Sequence, residues 1–92
     1  MIERVNICGI PHTVEYCEDK FDTDTHFGHI DHRTSTVRLN KDMPQEIINE
    51  TLCHEILHGI FFHLGEDELS QNERLITALG AAINQTFSVK GI

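Results

Sequence analysis

The spacing of apolar and polar positions divides the chain into two parts with different periods. In the first 40 residues, short runs rich in β-branched and aromatic residues alternate with turn-forming residues, which is typical of strands. After Asn40 the apolar residues recur every three to four positions, which is typical of helices. The pattern predicts an α+β domain in which strands come first and helices follow.

Four strands are predicted in the first part. They cover residues 4–8, 13–17, 27–32 and 35–40. Residues 9–12 supply turn chemistry for a first hairpin, and the polar stretch 18–25 is expected to be a loop. In the second hairpin, Val37 and Leu39 alternate with polar residues, as in a half-buried strand. We expect a three- or four-stranded, mostly antiparallel sheet.

Two helices are predicted in the second part. The first is expected to begin with a cap at Asp42 and Pro44 in its first turn. It is expected to end near Leu64, because Gly65 is a typical residue just after a helix. The second helix is expected over residues 69–87, so that two packed helices follow the sheet.

Both predicted helices carry apolar stripes. One stripe of the first helix comprises Ile47, His54, Leu57, His58 and Phe61, and the other side carries Leu52, Ile56 and Ile60. A helix that is apolar all round is expected to lie between the sheet and the other helix. The stripe of the second helix comprises Leu69, Ile76, Gly80, Ile83 and Phe87. Glycine costs about 1 kcal/mol relative to alanine inside a helix, so Gly80 indicates a close approach of the two helices.

Size and composition narrow the class of protein. The 92 residues are expected to form one domain, residues 1–92, with a modest core. A net charge of -8 argues against binding to nucleic acid, and no apolar run suggests a signal peptide or a membrane span. We therefore expect a cytoplasmic protein. Cys8, Cys17 and Cys53 are expected to be reduced thiols, with a metal-binding pair of Cys8 and Cys17 across the first hairpin as the lesser alternative.

The first predicted helix contains the motif His54-Glu55-Ile56-Leu57-His58. Residues four apart lie on one helix face, about 6 Å apart along the axis, so both imidazoles can meet one ion. In H-E-x-x-H sites the glutamate contacts the water that the metal activates. The alternative is a pair of core histidines, each of which then needs a partner or costs about 1–3 kcal/mol. The motif favours a metal site.

The third ligand is less clear from the pattern. The metzincin extension is excluded, because Phe61 and Leu64 stand at its glycine and histidine positions. His63 lies about 140° around the helix from His58 and faces away from it. Glu73, at the border of the second apolar stripe, is the favoured ligand. The alternative is that Glu73 closes a capping box with Ser70. The remaining candidates for the third ligand are Glu66, Asp67, Glu68 and His63.

The other histidines carry a weaker signal. His26, His29 and His32 alternate near the second hairpin, and each is expected to be exposed to solvent. One of these three, or His63 or Tyr16, is the candidate for a group that polarises a substrate carbonyl or stabilises an oxyanion. The pattern does not choose among them.

In this order, the motifs resemble those of gluzincin-type metallopeptidases, in particular the ImmA/IrrE-type enzymes and small zincin-like proteins of phages and prophages. The likeness covers residues 27–87. Its segments are Gly28-His29-Ile30-Asp31, Val37-Arg38-Leu39-Asn40, Glu50-Thr51-Leu52-Cys53-His54-Glu55-Ile56-Leu57-His58 and Asn72-Glu73-Arg74-Leu75-Ile76. Of these, only the H-E-x-x-H segment is specific in itself.

The resemblance implies a small zincin-like domain with an active helix and a glutamate helix. It implies zinc (Zn2+) held by His54, His58 and Glu73, with Glu55 as general base in peptide hydrolysis. It further implies that the strand at residues 35–40 binds a peptide or protein substrate by β-augmentation. Leu57 departs from the family, which has glycine or alanine at that position.

The chain also lacks the extra helices or second domain of those enzymes. The far wall of the cleft is therefore expected to be missing, or to come from a protein partner or a second copy of the chain. Two functions follow as alternatives. One is a zinc-dependent peptidase of phage or prophage origin. The other is a zincin-like binding module in which zinc is structural and the protein docks to a partner.

Overall fold

The computed structural model describes residues 2–18 and 27–87, which form a sheet packed against a long helix. The strands are β1 (Arg4–Ile7), β2 (Ile10–Cys17), β3 (Gly28–Asp31) and β4 (Thr36–Asn40). The helices are α1 (Gln45–His63), α2 (Asp67–Ser70) and α3 (Glu73–Phe87). The α+β class and the order of a sheet followed by packed helices are confirmed. His26 and most of the predicted loop at residues 18–25 lie outside the described residues.

The sheet has four strands in the order β1-β2-β4-β3. β1 and β2 are antiparallel, as are β3 and β4, whereas β2 and β4 are parallel. The sheet is therefore mostly antiparallel, as expected. Because β4 pairs on both sides, the prediction that residues 35–40 bind a peptide by β-augmentation is wrong. Among the described strands, the edge strand on this side of the sheet is β3.

The first hairpin turns earlier than the pattern predicts. Ile7 pairs with Ile10, so the turn consists of Cys8 and Gly9, with φ values of 52° and 80°. Pro11 lies in β2, where it is opposite Asn6 of β1. Proline is tolerated there because pairing of β2 with β4 begins only at Thr13, so no β2–β4 hydrogen bond requires the N–H that proline lacks. Cys8 and Cys17 consequently lie at opposite ends of β2, so the predicted metal-binding pair across the hairpin is wrong.

The core lies between the sheet and α1. Its fully buried residues include Ile7, Val37, Leu39 and Leu52. The neighbouring helix α3 covers the other side of α1, which confirms that α1 is sandwiched. Ile47 belongs to the predicted apolar stripe of α1 but is not covered. It lies in the first turn of the helix and is 36% exposed.

The end of α1 agrees with the prediction better than its start. At the end, Gly65 has φ 77° and donates its N–H to the Phe62 carbonyl, while Glu66 donates to the Phe61 carbonyl. This is a Schellman motif, in which glycine avoids the cost of a left-handed conformation. At the start, Asp42 makes no cap. Pro44 is the N-cap residue and not part of the first turn, and its carbonyl accepts hydrogen bonds from the N–H groups of Ile47 and Ile48.

The predicted second helix is divided into α2 and α3 at Gln71 and Asn72. The Asn72 side-chain oxygen accepts a hydrogen bond from the N–H of Leu75 at 3.1 Å and so caps α3. The Ser70 hydroxyl donates to the His58 carbonyl at 3.1 Å instead of capping a helix. The predicted capping box of Ser70 and Glu73 is therefore wrong, and Glu73 is the first residue of α3.

The contact between α1 and α3 is close, as Gly80 predicts. A Cβ atom added at Gly80 would lie 3.4 Å from both the Cα and the backbone nitrogen of His54. Ile76 is fully buried, but Leu69 and Phe87 are 36% and 74% exposed, because both lie outside the contact region. None of the helices in the described part of the chain combines the length and the apolar character needed to cross a bilayer.

Candidate metal centre

Three side chains from two helices converge at the contact between α1 and α3. His54 and His58 lie one turn apart on α1, and Glu73 opens α3. One ligand atom from each residue lies within 4.8 Å of the other two. This His-His-Glu group can hold a metal ion. The structure thus brings together the three residues that the sequence analysis favours.

The distances within the group are short. The Nε2 atoms of His54 and His58 are 3.2 Å apart. His54 Nε2 is 3.3 Å from one carboxylate oxygen of Glu73, and His58 Nε2 is 2.5 Å from the other. Both histidines are buried, whereas the Glu73 side chain is 37% exposed. The group therefore has a buried imidazole side and a side open to solvent.

A backbone contact determines which nitrogen of His58 carries the proton. His58 Nδ1 lies 2.5 Å from the Ser70 carbonyl oxygen, and a carbonyl can only accept a hydrogen bond. The proton therefore sits on Nδ1. In the neutral ring, the lone pair of Nε2 then points at a carboxylate oxygen of Glu73, so that two acceptors face each other. Two acceptors this close require a cation or a proton between them. The Nδ1–H to carbonyl bond is also the usual support of a metal-binding histidine.

The break between α2 and α3 places the third ligand. Ser70 binds His58 through both its hydroxyl and its carbonyl, which holds the end of α2 against α1. Asn72 then restarts the chain as α3, with Glu73 in its first turn. The other candidates, Glu66, Asp67, Glu68 and His63, do not belong to the metal-binding group found among the described residues.

Glu55 lies beside the group in a cleft. It is only 3% exposed, and together with His58 and Glu73 it lines a cavity of about 600 Å³. The other lining residues are His29, Ile30, His32, Phe62, Asp67, Ser70 and Gln71. This volume falls within the range of small-ligand sites. The Glu55 carboxylate, the His58 imidazole and the Glu73 carboxylate therefore face one ligand-sized space.

The remaining histidines differ from the prediction of simple exposure. His29 and His32 are half-buried and line the cleft. Burial lowers the pKa of His32 from its usual value, and the neighbouring His63, His58 and His12 lower it further. His63 packs against His12, away from the metal-binding group, as the helix geometry predicts.

Tyr16 does not line the cleft. Its hydroxyl donates to the Ile2 carbonyl at 2.6 Å, and burial followed by Glu3 raises its pKa. Tyr16 is therefore not the group that polarises a carbonyl. The cysteines also lie outside the metal-binding group of the described residues. Burial, followed by the charge of Glu50, raises the pKa of Cys53, so its thiol is protonated at neutral pH.

The sequence analysis missed three residues that shape the site. Ser70 and Asn72 were assigned to a cap and to a helix interior, although both residue types favour helix starts. Their spacing allowed either residue to be the cap, and only the packing against His58 separates the two. His12 lies in the turn predicted at residues 9–12, yet in the structure it belongs to β2 and is 1% exposed, and no pattern in the neighbouring residues marks it as buried.

Comparisons with protein-family models, with curated proteins and with solved structures gave no match to this chain. The resemblance to gluzincin-type enzymes therefore rests on the motifs, and the function is argued from the site.

Proposed function

We propose that the protein is a zinc-dependent peptidase in which His54, His58 and Glu73 bind zinc and Glu55 is the general base. One observation carries the proposal. The glutamate of the H-E-x-x-H motif is buried beside a His-His-Glu group, in a cleft large enough for part of a peptide. A buried carboxylate that lines a ligand-sized cavity is typical of a functional site.

The spacing of the ligand atoms fits zinc. Around a tetrahedral ion with ligands at about 2.0–2.1 Å, the ligand atoms stand about 3.3 Å apart. The two imidazole Nε2 atoms are 3.2 Å apart, which matches this spacing. Each imidazole lies within 3.3 Å of a different oxygen of Glu73, and a rotation of this partly exposed carboxylate can offer one oxygen to an ion held by both histidines. Two imidazoles and one carboxylate, with one position left for water, form a typical catalytic zinc set.

The chemistry divides between the ion and Glu55. His54, His58 and Glu73 would hold the ion, which would supply Lewis-acid activation of water and of the substrate carbonyl. Glu55 accepts the proton of the attacking water, which adds to the peptide carbonyl carbon. Glu55 then gives this proton to the departing nitrogen as the C–N bond breaks. Burial of Glu55 and of both histidines keeps these groups in fixed positions, which favours catalysis.

The edge strand β3 supports a peptide as the substrate. His29 and Ile30 of β3 line the cleft, and among the described strands β3 pairs only with β4. An extended peptide can therefore align along β3 by β-augmentation, with its backbone across the metal-binding group. The cleft walls consist of β3 on one side and α2 with the start of α3 on the other.

The test of the proposal is the substitution Glu55→Gln. Glutamine preserves the size of the side chain but cannot accept the proton, so zinc content is expected to stay at that of the parent while cleavage is lost. Cleavage is measured with a quenched-fluorescence peptide library, and zinc by elemental analysis. The matched control is Glu46→Gln, which makes the same change at an exposed position of α1 and is expected to cleave like the parent.

If Glu55→Gln cleaves the library as fast as the parent, the peptidase mechanism is wrong. If the parent binds zinc and cleaves nothing, the result favours the second candidate function, a zinc-stabilised binding module. One observation supports that candidate. The described residues of α3 that are buried are only Ile76 and Gly80, so a metal shared by α1 and α3 would supply much of the attachment of α3.

A further inference from the structure

Three histidine rings that the metal-binding group does not use form a column beside the cleft. His63 lies in the middle, with its ring centroid 5.5 Å from that of His12 and 6.3 Å from that of His32. Both contacts are edge-to-face. His12 is the buried end of this histidine column, and His32 is the end that lines the cleft.

Each ring of the histidine column has one buried nitrogen without a hydrogen-bond partner among the described residues. These atoms are Nε2 of His12, Nε2 of His63 and Nδ1 of His32. A buried N–H without an acceptor is rarer in proteins than a buried acceptor without a donor, and neighbouring ring edges can approach a buried lone pair. The proton of each neutral ring is therefore expected on its other nitrogen.

His12 shows this rule directly. Its Nδ1 lies 2.8 Å from the Ile10 carbonyl oxygen, which can only accept, so the proton sits on Nδ1 and Nε2 carries the buried lone pair. In His32 the buried atom is Nδ1. The same rule places the proton of His32 on Nε2, the ring nitrogen that is not among these buried, unpartnered atoms.

The His32 ring is held in place on several sides. It stacks on Phe62, with ring centroids 3.9 Å apart and planes inclined by 3°. The turn that carries it is closed by Asp31, whose carboxylate accepts hydrogen bonds from the N–H groups of Arg33 and Thr34. Burial and neighbouring histidines lower the pKa of His32, so the ring is neutral at neutral pH. A neutral, fixed ring offers one N–H in a constant direction.

We infer that His32 donates its Nε2–H to an oxygen of the ligand bound at the metal centre, as a further catalytic residue in the β3–β4 turn. The inference rests on the proposed function, in which that oxygen belongs to the carbonyl under attack. A donor fixed by stacking stabilises the charge that develops on this oxygen without rearrangement in the reaction. His63 and Phe62 then act as positioning residues, since they touch the His32 ring.

The first test is the protonation of the ring in metal-free protein. In protein labelled with 15N at histidine, nitrogen chemical shifts near neutral pH distinguish the two neutral tautomers, and the His32→Phe variant assigns the signal. His32 is expected as the Nε2–H form and His12, the internal control, as the Nδ1–H form. A predominant Nδ1–H form, or a charged ring, at His32 overturns the inference whether or not the protein binds zinc.

The second test measures binding of methylphosphonate to the zinc-loaded protein by calorimetry. One oxygen of this tetrahedral anion can bind the metal while another accepts from His32. His32→Phe keeps the stacking on Phe62 but removes the donor, so its affinity is expected to fall about tenfold or more. Arg33→Gln removes a charge from the same turn, where the side chain is 88% exposed, and is expected to change the affinity by less than about twofold.

The outcomes separate the two proposals. Equal binding of methylphosphonate by the parent and His32→Phe, with equal zinc content, overturns the role of His32 and leaves the peptidase proposal in place. Cleavage by Glu55→Gln at the parent rate overturns the peptidase proposal, while the donor role of His32 toward an anion at the metal is still decided by the binding measurement.

Discussion

At the residue scale, the candidate metal centre consists of side chains whose hydrogen-bond acceptor atoms face one another. His58 uses its Nδ1–H on the Ser70 carbonyl and turns Nε2 toward Glu73. His54 adds a second imidazole at 3.2 Å. Such a set is stable only with a positive charge at its middle, which a metal ion or a proton supplies. Metal content is therefore the measurement that distinguishes a metal site from a buried ion pair.

The residue that decides this is Glu73. Glu73→Ala removes one of three ligands, so zinc affinity is expected to fall by more than the roughly 10–100-fold that loss of an outer partner costs. Competition with a chromogenic chelator measures the affinity. Glu68→Ala, which removes an exposed carboxylate from the neighbouring helix, is the control and is expected to bind zinc like the parent. Equal zinc affinity in the two variants would show that Glu73 is not a ligand.

At the scale of the elements, the break between α2 and α3 matters more than either helix. A continuous helix over residues 69–87 would place Ser70 and Glu73 on one helical turn. The observed break lets Ser70 bind α1 and lets Asn72 start α3. The orientation of the third ligand thus depends on a cap.

Removal of this cap is expected to weaken both the fold and the site. Asn72→Ala leaves the N–H of Leu75 without its acceptor, which is expected to lower the free energy of unfolding by about 0.5–2 kcal/mol. Urea unfolding of the metal-free protein measures this, and zinc affinity is expected to fall as well because Glu73 is less well held. Asn72→Asp retains a capping oxygen and is expected to resemble the parent. If alanine and aspartate behave alike, the cap does not support the site.

At the scale of the whole molecule, a small core and a shared metal act together. The described core lies between the sheet and α1, whereas α3 contributes Ile76 and Gly80 as its buried residues. A domain of this size buries only about 60–65% of its unfolded surface, so a metal that links α1 to α3 contributes appreciably to stability.

The melting temperature should therefore depend on zinc. Free zinc at about 100 times its dissociation constant adds about 2.7 kcal/mol to the folded state, and about 1 kcal/mol corresponds to roughly 4–8 °C for a domain of this size. A rise of roughly 10–20 °C is expected on addition of zinc, measured by circular dichroism, with reversal by a chelator. In Glu73→Ala most of the rise should disappear. A parent protein whose melting temperature ignores zinc and chelator would contradict a shared metal.

The local patterns predict the elements well and their relations less well. Alternation at Val37 and Leu39 identifies β4, and Gly65 identifies the end of α1, because both signals are local. The position of β4 in the middle of the sheet, next to β2, was not predicted. Strand order depends on which strands the long connections bring together, and neighbouring residues carry no record of that.

By itself, the sequence determined the change from strands to helices, the H-E-x-x-H pair on one helix face, and Gly80 as a site of close helix approach. Each of these follows from spacing within a single element. Only the tertiary structure decided that Glu73 meets both histidines, that Ser70 supports His58, and that β3 forms the edge beside the cleft. The same holds for His32, placed in the cleft by stacking on Phe62. These relations join residues far apart in the chain, and packing, not local periodicity, brings them together.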